Sequence, residues 1–238
     1  MKKLIGIVPK GMLFDMEKSN FSDVYHIGNN YSKRVLEAGG IPLSIAPVDG
    51  YVTEEMLEPF DGFIIQGGQR FWPYHYQVMH HAAIHGKKVL GICLGHQLIH
   101  GYFKIRDLAQ TLGIHGDMGE ITYRLLRDPD IECDPLERVE GHRSDAMPRG
   151  QEDIAKHDVD IVPGTLLHQL LGKEKIRAAT FHNYRITPPL DCITINARAA
   201  DDPDTIEGIE YGDKFLGVQF HPEVDTELAN IFTFLTRD

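Results

Sequence analysis

The feature that most constrains this chain is a cysteine placed between two glycines, where an apolar run meets a helix-compatible run. Val89-Leu90-Gly91-Ile92 enters the turn, Cys93 stands at its centre, and Leu94-Gly95-His96-Gln97 leaves it. A strand that turns sharply into a helix holds a nucleophilic side chain clear of the sheet. The glycines leave room beside the nucleophile, and the helix N-terminus favours the thiolate. The segment therefore predicts a nucleophile elbow, although an isolated cysteine would more simply be a buried apolar residue.

Composition limits the class of protein. The chain has 238 residues, 42% of them hydrophobic and 25% charged, which predicts one globular domain over residues 1–238. No stretch has the length of a transmembrane helix or the pattern of a signal peptide, so we expect a cytoplasmic protein. The net charge of −11 argues against nucleic acid or an anionic membrane as a partner, but not against a small anionic substrate.

Cysteine and histidine positions bear on metals and disulfides. The three cysteines, Cys93, Cys133 and Cys192, are odd in number and widely spaced. This pattern argues against a disulfide framework and against a cysteine-based zinc site. Three histidines share one predicted helix: His80, His81 and His85. Because no carboxylate or cysteine lies at ligand spacing nearby, we expect them on a solvated face, and we expect no metal.

Apolar runs alternate with amphipathic segments in the first half, which predicts β-α repeats and a mostly parallel sheet flanked by helices. The expected fold class is α/β, flavodoxin-like, with additional short antiparallel strands in the C-terminal half. Predicted strands are 4–8, 41–46, 62–65, 89–92, 176–180, 193–199, 205–211 and 215–220. Predicted helices are 25–38, 53–58, 74–85, 95–102 and an amphipathic 225–235. Residues 127–158 lack periodicity and could form a surface excursion or a flap over the site.

A base for the thiol lies far downstream. An apolar strand ends at His221-Pro222-Glu223, and residues i and i+2 of an extended segment share a face, so Glu223 can reach the imidazole. Acyl transfer also needs donors for an oxyanion. The N–H of Leu94 follows the nucleophile, and Gly67-Gly68 after the predicted strand 62–65 offers a second donor.

These motifs together resemble the class I glutamine amidotransferase superfamily over nearly the whole chain. The segments 31–42, 157–167 and 204–210 are similar to its γ-glutamyl hydrolase branch, best known for γ-glutamyl-γ-aminobutyrate hydrolases. The resemblance implies Cys93 as nucleophile, His221 as general base and acid and Glu223 as its orienter. The implied oxyanion hole is formed by Gly68 and Leu94, and the implied substrate-binding residues are Gly67, Gln97, Phe181 and His182. For His182 a plain structural role is equally compatible with the sequence.

Three functions remain open. The first is a free-standing hydrolase that cleaves a γ-glutamyl amine through a γ-glutamyl thioester, without a metal or organic cofactor. The second is a glutaminase subunit that supplies ammonia to a synthase partner, suggested because Leu94 stands where the hydrolase branch usually has Arg. The third is a catalytically silent binding module, which the intact Cys93, His221 and Glu223 disfavour. A homo-oligomer is compatible with each.

Overall fold

A nine-stranded sheet organises the protein in the computed structural model, which describes residues 1–14, 21–128, 135–140 and 155–237. In chain order the strands are β1 (Leu4–Val8), β2 (Lys10–Met12), β3 (Val24–His26), β4 (Ile41–Ser44), β5 (Gly62–Ile65), β6 (Lys88–Ile92), β7 (Leu136–Arg138), β8 (Lys156–Ile161), β9 (Lys175–Ala179), β10 (Tyr184–Ile186), β11 (Thr194–Ala199), β12 (Ile206–Tyr211) and β13 (Phe215–Val218). The helices are α1 (Asn29–Glu37), α2 (Glu54–Leu57), α3 (Pro73–His85), α4 (Leu94–Thr111), α5 (Met118–Leu125), α6 (Leu166–Leu171) and α7 (Thr233–Thr236), with 3₁₀ turns at Pro222–Val224 and Thr226–Phe232.

The strand order of the main sheet is β4-β1-β5-β6-β13-β12-β11-β8-β9. The first five strands are parallel, and β12, β11, β8 and β9 continue the same sheet antiparallel. The predicted α/β fold with antiparallel strands in the C-terminal half is therefore confirmed. Because β6 and β13 are parallel neighbours, with Ile92 opposite Val218, the residues that follow both strands emerge at the same sheet edge.

Apolar side chains cover the sheet on both faces. One buried cluster packs α2, α3, α4 and α5 against the sheet, and the other packs α1, α6 and the C-terminal segment against the opposite face. Strands β5, β6 and β13 are buried along nearly their whole length, as expected of a parallel sheet covered on both sides. Among the described residues, no helix combines the length and apolar character that crossing a membrane requires.

Several predicted boundaries were wrong. Val24–His26 is not the start of a helix but a strand paired with β2, and α1 begins only at Asn29. The helix after the elbow extends to Thr111, nine residues beyond its predicted end. The predicted helix 225–235 is instead a 3₁₀ segment followed by one α-turn. The side chains at 228, 231, 232, 234 and 235 are all buried, so the segment still packs its apolar residues into the core.

The segment 127–158 is only partly described. Residues from Lys156 onwards belong to β8 of the main sheet, and Leu136–Arg138 pairs with β10, so these parts are regular strands. Residues 129–134 and 141–154, with Cys133 among them, lie outside the described residues, and the predicted flap is therefore not tested. The described cysteines Cys93 and Cys192 are both free thiols.

Candidate active site

The turn at Cys93 has the geometry of a nucleophile elbow. Strand β6 ends at Ile92, α4 begins at Leu94, and Cys93 between them has φ 53° and ψ −103°, a conformation that non-glycine residues rarely adopt. The flanking glycines are required by space. A Cβ on Gly91 would lie 2.5 Å from the carbonyl of Gly95, and one on Gly95 would lie 2.2 Å from the carbonyl oxygen of Ile65.

His221 and Glu223 meet at the edge where β13 ends. Nδ1 of His221 lies 2.7 Å from Oε1 of Glu223, which is 6% exposed. The two side chains meet across a 3₁₀ turn rather than along the extended segment that we predicted, because Pro222 fits the first position of a helical turn. A Cβ built on Gly67 would lie 2.9 Å from Cε1 of His221 and 3.3 Å from Cβ of Cys93. The side chains of His221 and Cys93 therefore both border Gly67.

Electrostatics favour a charged histidine. Burial alone would lower the pKa of His221, but the charges of Glu223 and Cys93 and hydrogen bonds to both raise that pKa well above its usual 6.5. Burial likewise opposes ionisation of Glu223, yet the charge and hydrogen bond of His221 lower the pKa of this carboxyl. Both directions favour an imidazolium paired with a carboxylate.

Tyr31 is a member of the site that sequence reasoning placed only on a helix. Its buried hydroxyl donates to Oε1 of Glu223 at 2.9 Å and accepts the N–H of Gly67 at 3.1 Å. Burial and the charge of Glu223 raise the pKa of Tyr31 well above 10, so the hydroxyl keeps its proton as a donor. Nε of Arg34, one turn along α1, donates to the carbonyl oxygen of Glu223 at 3.2 Å. Helix α1 thus fixes Glu223 through both its side chain and its backbone.

The glycines after β5 lie directly beside the elbow. A Cβ on Gly68 would be 3.1 Å from Cδ2 of Leu94, which places the backbone of Gly68 next to the first turn of α4. The N–H of Gly67 already donates to the hydroxyl of Tyr31. The N–H of Gly68 therefore stays the predicted oxyanion donor beside that of Leu94.

The predicted substrate-binding residues differ in their placement. The carbonyl oxygen of Phe181 lies 3.9 Å from Sγ of Cys93, so this loop borders the nucleophile. Gln97 is 8% exposed, and its amide group donates to the carbonyl of Tyr184 at 3.1 Å and to Oε1 of Gln219 at 3.0 Å. His182 is 4% exposed, and its Nδ1 lies 3.0 Å from the carbonyl of Tyr184. The structure brings Phe181 to the nucleophile and buries the side chains of Gln97 and His182.

A buried carboxylate explains the position of His182. Glu207, on β12, is 0% exposed, and its two oxygens lie 3.3 Å from Nε2 of His182 and 3.5 Å from Nε2 of His157. Burial would raise the pKa of Glu207, but hydrogen bonds and charges from the two histidines lower it to about 2. The sequence offered one signal for this contact: Glu207 is a charged residue between Ile206 and Ile209 in a predicted strand. Sequence reasoning did not use it.

The sheet and the site define an α/β protein of the class that carries a thiol at a strand-to-helix elbow beside a histidine–carboxylate pair. The chain belongs to the glutamine amidotransferase class-I family, whose model matches residues 21–235. Membership implies a hydrolase or amidotransferase enzyme, and it confirms the superfamily that the sequence motifs resemble.

Similar proteins come from several organisms. A CTP synthase of Halobacterium salinarum is 28% identical over 217 residues, which are 87% of this chain but only 38% of that protein. Protein NtpR of Enterococcus hirae is 22% identical over 247 residues, covering 94% of this chain and 92% of NtpR. The crystal structure of a glutamine amidotransferase from Thermotoga maritima superposes with a TM-score of 0.56 at 16% identity, covering 96% of this chain and 79% of that one. At such identity the superposition shows a shared fold.

Proposed function

We propose that the protein hydrolyses a γ-glutamyl amide through a γ-glutamyl thioester, with γ-glutamyl-γ-aminobutyrate or a related γ-glutamyl amine as substrate. The observation that carries the proposal is the thiol of Cys93 at a strained elbow. Beside it lies His221, whose Nδ1 is 2.7 Å from Oε1 of Glu223. Family membership supports amide hydrolysis, and the hydrolase-like segments 31–42, 157–167 and 204–210 support an amine as leaving group.

In the first half-reaction the thiolate of Cys93 attacks the γ-carbonyl carbon, and the carbonyl oxygen becomes an oxyanion. The N–H groups of Gly68 and Leu94 hold this oxyanion. His221 gives its proton to the leaving amine as the C–N bond breaks, which leaves a γ-glutamyl thioester and a neutral imidazole.

In the second half-reaction His221 takes a proton from water, and the hydroxide attacks the thioester. Collapse of the tetrahedral intermediate releases glutamate and returns the thiolate and the imidazolium. Glu223 stays ionised throughout and, held by Tyr31, keeps the imidazole oriented with its other nitrogen towards Cys93.

A second candidate is a glutaminase that supplies ammonia to a synthase partner. It is favoured by the similarity to CTP synthase and by Leu94, which stands where the hydrolase branch usually has Arg. The chemistry is the same up to the leaving group, which here is ammonia, and turnover should depend on the partner protein.

One assay separates the candidates. Purified protein is incubated with γ-glutamyl-γ-aminobutyrate, with related γ-glutamyl amines or with glutamine, and released glutamate is measured against a Cys93→Ser control. The hydrolase proposal expects partner-free release from at least one γ-glutamyl amine and little from glutamine. Release from glutamine alone, even at a low rate in the absence of a partner, would favour the ammonia-supplying function, and no release from any of the amines would overturn the hydrolase proposal.

A further inference from the structure

The most promising group of side chains outside the active site joins α2 and α3. Glu54 at the start of α2 faces two histidines one turn apart on α3, His81 and His85. Oε2 of Glu54 lies 2.5 Å from Nδ1 of His81 and 3.4 Å from Nε2 of His85. One candidate ligand atom from each residue lies within 4.8 Å of the other two.

The expectation that the histidines of α3 face solvent is wrong for His81, whereas His80 is half-buried and His85 is exposed. The side chain of His81 is 2% exposed, and its Nε2 has no hydrogen-bond partner within the described part of the chain. The missing carboxylate is supplied by Glu54, which lies 27 residues earlier in the chain. Sequence spacing could not show this, because the two helices meet only in the folded protein.

We propose that Glu54, His81 and His85 form a zinc-binding site that links α2 to α3. Two imidazoles and one carboxylate are a common ligand set for Zn²⁺. Histidines at i and i+4 lie on the same helix face, so both can reach one ion.

The distances are close to what the ion requires. Zinc–nitrogen and zinc–oxygen bonds of about 2.0–2.1 Å put neighbouring ligand atoms of a tetrahedron roughly 3.3 Å apart. The distance of 3.4 Å between Nε2 of His85 and Oε2 of Glu54 already matches that spacing. The shorter contact to His81 has to widen, which the carboxylate can allow because the side chain of Glu54 is 59% exposed. Since the side chain of His85 is 49% exposed as well, the fourth ligand position opens to water.

The lysine that follows α3, Lys87, does not occupy the site. Nζ of Lys87 donates to the carbonyls of Leu57 and Glu58, which directs its charge to the C-terminal end of α2. Glu54 stands at the opposite, N-terminal end of that helix. The proposal is independent of the proposed function, because none of the three residues belongs to the site around Cys93.

The test is calorimetric titration of the chelator-treated protein with zinc chloride. The protein carries Cys93→Ser, so that zinc does not titrate the active-site thiolate. The ligand variants are His85→Ala and Glu54→Gln, at exposed positions where the fold should tolerate change. The matched controls are His115→Ala, an exposed histidine, and Glu55→Gln, the exposed neighbour of Glu54.

We expect one zinc ion per chain, and each ligand variant should bind zinc at least about tenfold more weakly while the controls bind as the parent does. Zinc should also raise the melting temperature of the parent, increasingly so as the free zinc concentration exceeds the dissociation constant, and this rise should be lost in His85→Ala. Equal zinc affinity in the parent and both ligand variants, or no zinc uptake by the parent, would overturn the proposal.

Discussion

The hydroxyl of Tyr31 donates to Oε1 of Glu223 at 2.9 Å, the same oxygen that lies 2.7 Å from Nδ1 of His221. One carboxylate oxygen therefore joins helix α1 to His221, the proposed general base. A hydrogen bond to a charged group contributes about 1.5–3 kcal/mol. Part of this energy keeps Glu223 oriented, so in the proposed mechanism the contact acts through His221 rather than on the substrate.

Replacing this hydroxyl should slow turnover without unfolding the protein. We expect Tyr31→Phe to lower kcat for glutamate release by about tenfold, which corresponds to roughly 1.4 kcal/mol. Tyr51→Phe, at an exposed tyrosine, is the control and should keep the parent rate. A parent-like kcat in Tyr31→Phe, with an unchanged melting temperature, would show that the contact has no part in catalysis.

The nucleophile assignment predicts selective chemistry at one thiol. Cys93→Ser should abolish glutamate release while leaving thermal unfolding unchanged, because serine fits the space of cysteine. Limited iodoacetamide followed by peptide mass spectrometry should label Cys93 before Cys192, although Cys192 is exposed and Cys93 is 6% exposed. Preferential labelling of Cys192, or near-normal activity of Cys93→Ser, would contradict the assignment.

Substitutions of His221 and Glu223 should lower kcat by different amounts. His221→Ala removes the group that transfers protons in the proposed mechanism, and we expect kcat to fall by about a thousandfold or more. Glu223→Ala removes only the orienting carboxylate, so its loss should be up to about a hundredfold less severe. Steady-state kinetics of both variants with the same substrate measure the difference. Equal losses would mean that Glu223 does more than orient the ring.

The elbow should not tolerate a methyl group. In Gly95→Ala the new Cβ would lie 2.2 Å from the carbonyl oxygen of Ile65, a backbone atom that cannot move aside cheaply. We expect a loss of about 3 kcal/mol in the free energy of unfolding, measured in urea. Gly101→Ala in the same helix is the matched control, because the nearest atom to its Cβ would be the hydroxyl of Tyr76 at 3.3 Å. Equal stabilities of the two variants would contradict the proposed crowding.

Glu207 should determine part of the acid stability. Because its pKa in the folded protein is about 2, below the ordinary 4.5, its contribution is complete above about pH 4.5 and is lost as the pH falls towards 2. Glu207→Gln should lower the free energy of unfolding by about 3 kcal/mol at neutral pH, since it breaks the buried contacts with the two histidines. It should also weaken the fall in stability between about pH 4.5 and pH 2. The exposed Glu174→Gln should unfold as the parent does. Denaturant unfolding at a series of pH values checks both, and an unchanged fall in stability at acid pH in Glu207→Gln would contradict the prediction.

Local patterns were sufficient for the elements that build the elbow. The apolar run before Cys93, the glycines around it and the alternation of strands and helices predicted β1, β4, β5, β6 and α3 within a few residues. Patterns failed where tertiary pairing set the structure, because Val24–His26 is a strand only through its pairing with β2. The strand Lys156–Ile161 was missed for a different reason: its residues alternate between exposed and covered, as in a half-buried strand, and sequence reasoning overlooked that signal.

The sequence by itself determined the fold class, the elbow at Cys93 and the candidacy of His221 and Glu223, because each follows from residues that are neighbours in the chain. Only the tertiary structure decided which distant groups support them. Tyr31 and Glu223 are 192 positions apart, and Glu54 and His81 are 27 apart. Such contacts depend on how helices pack on the sheet, and side-chain spacing along one helix or strand carries no information about that packing.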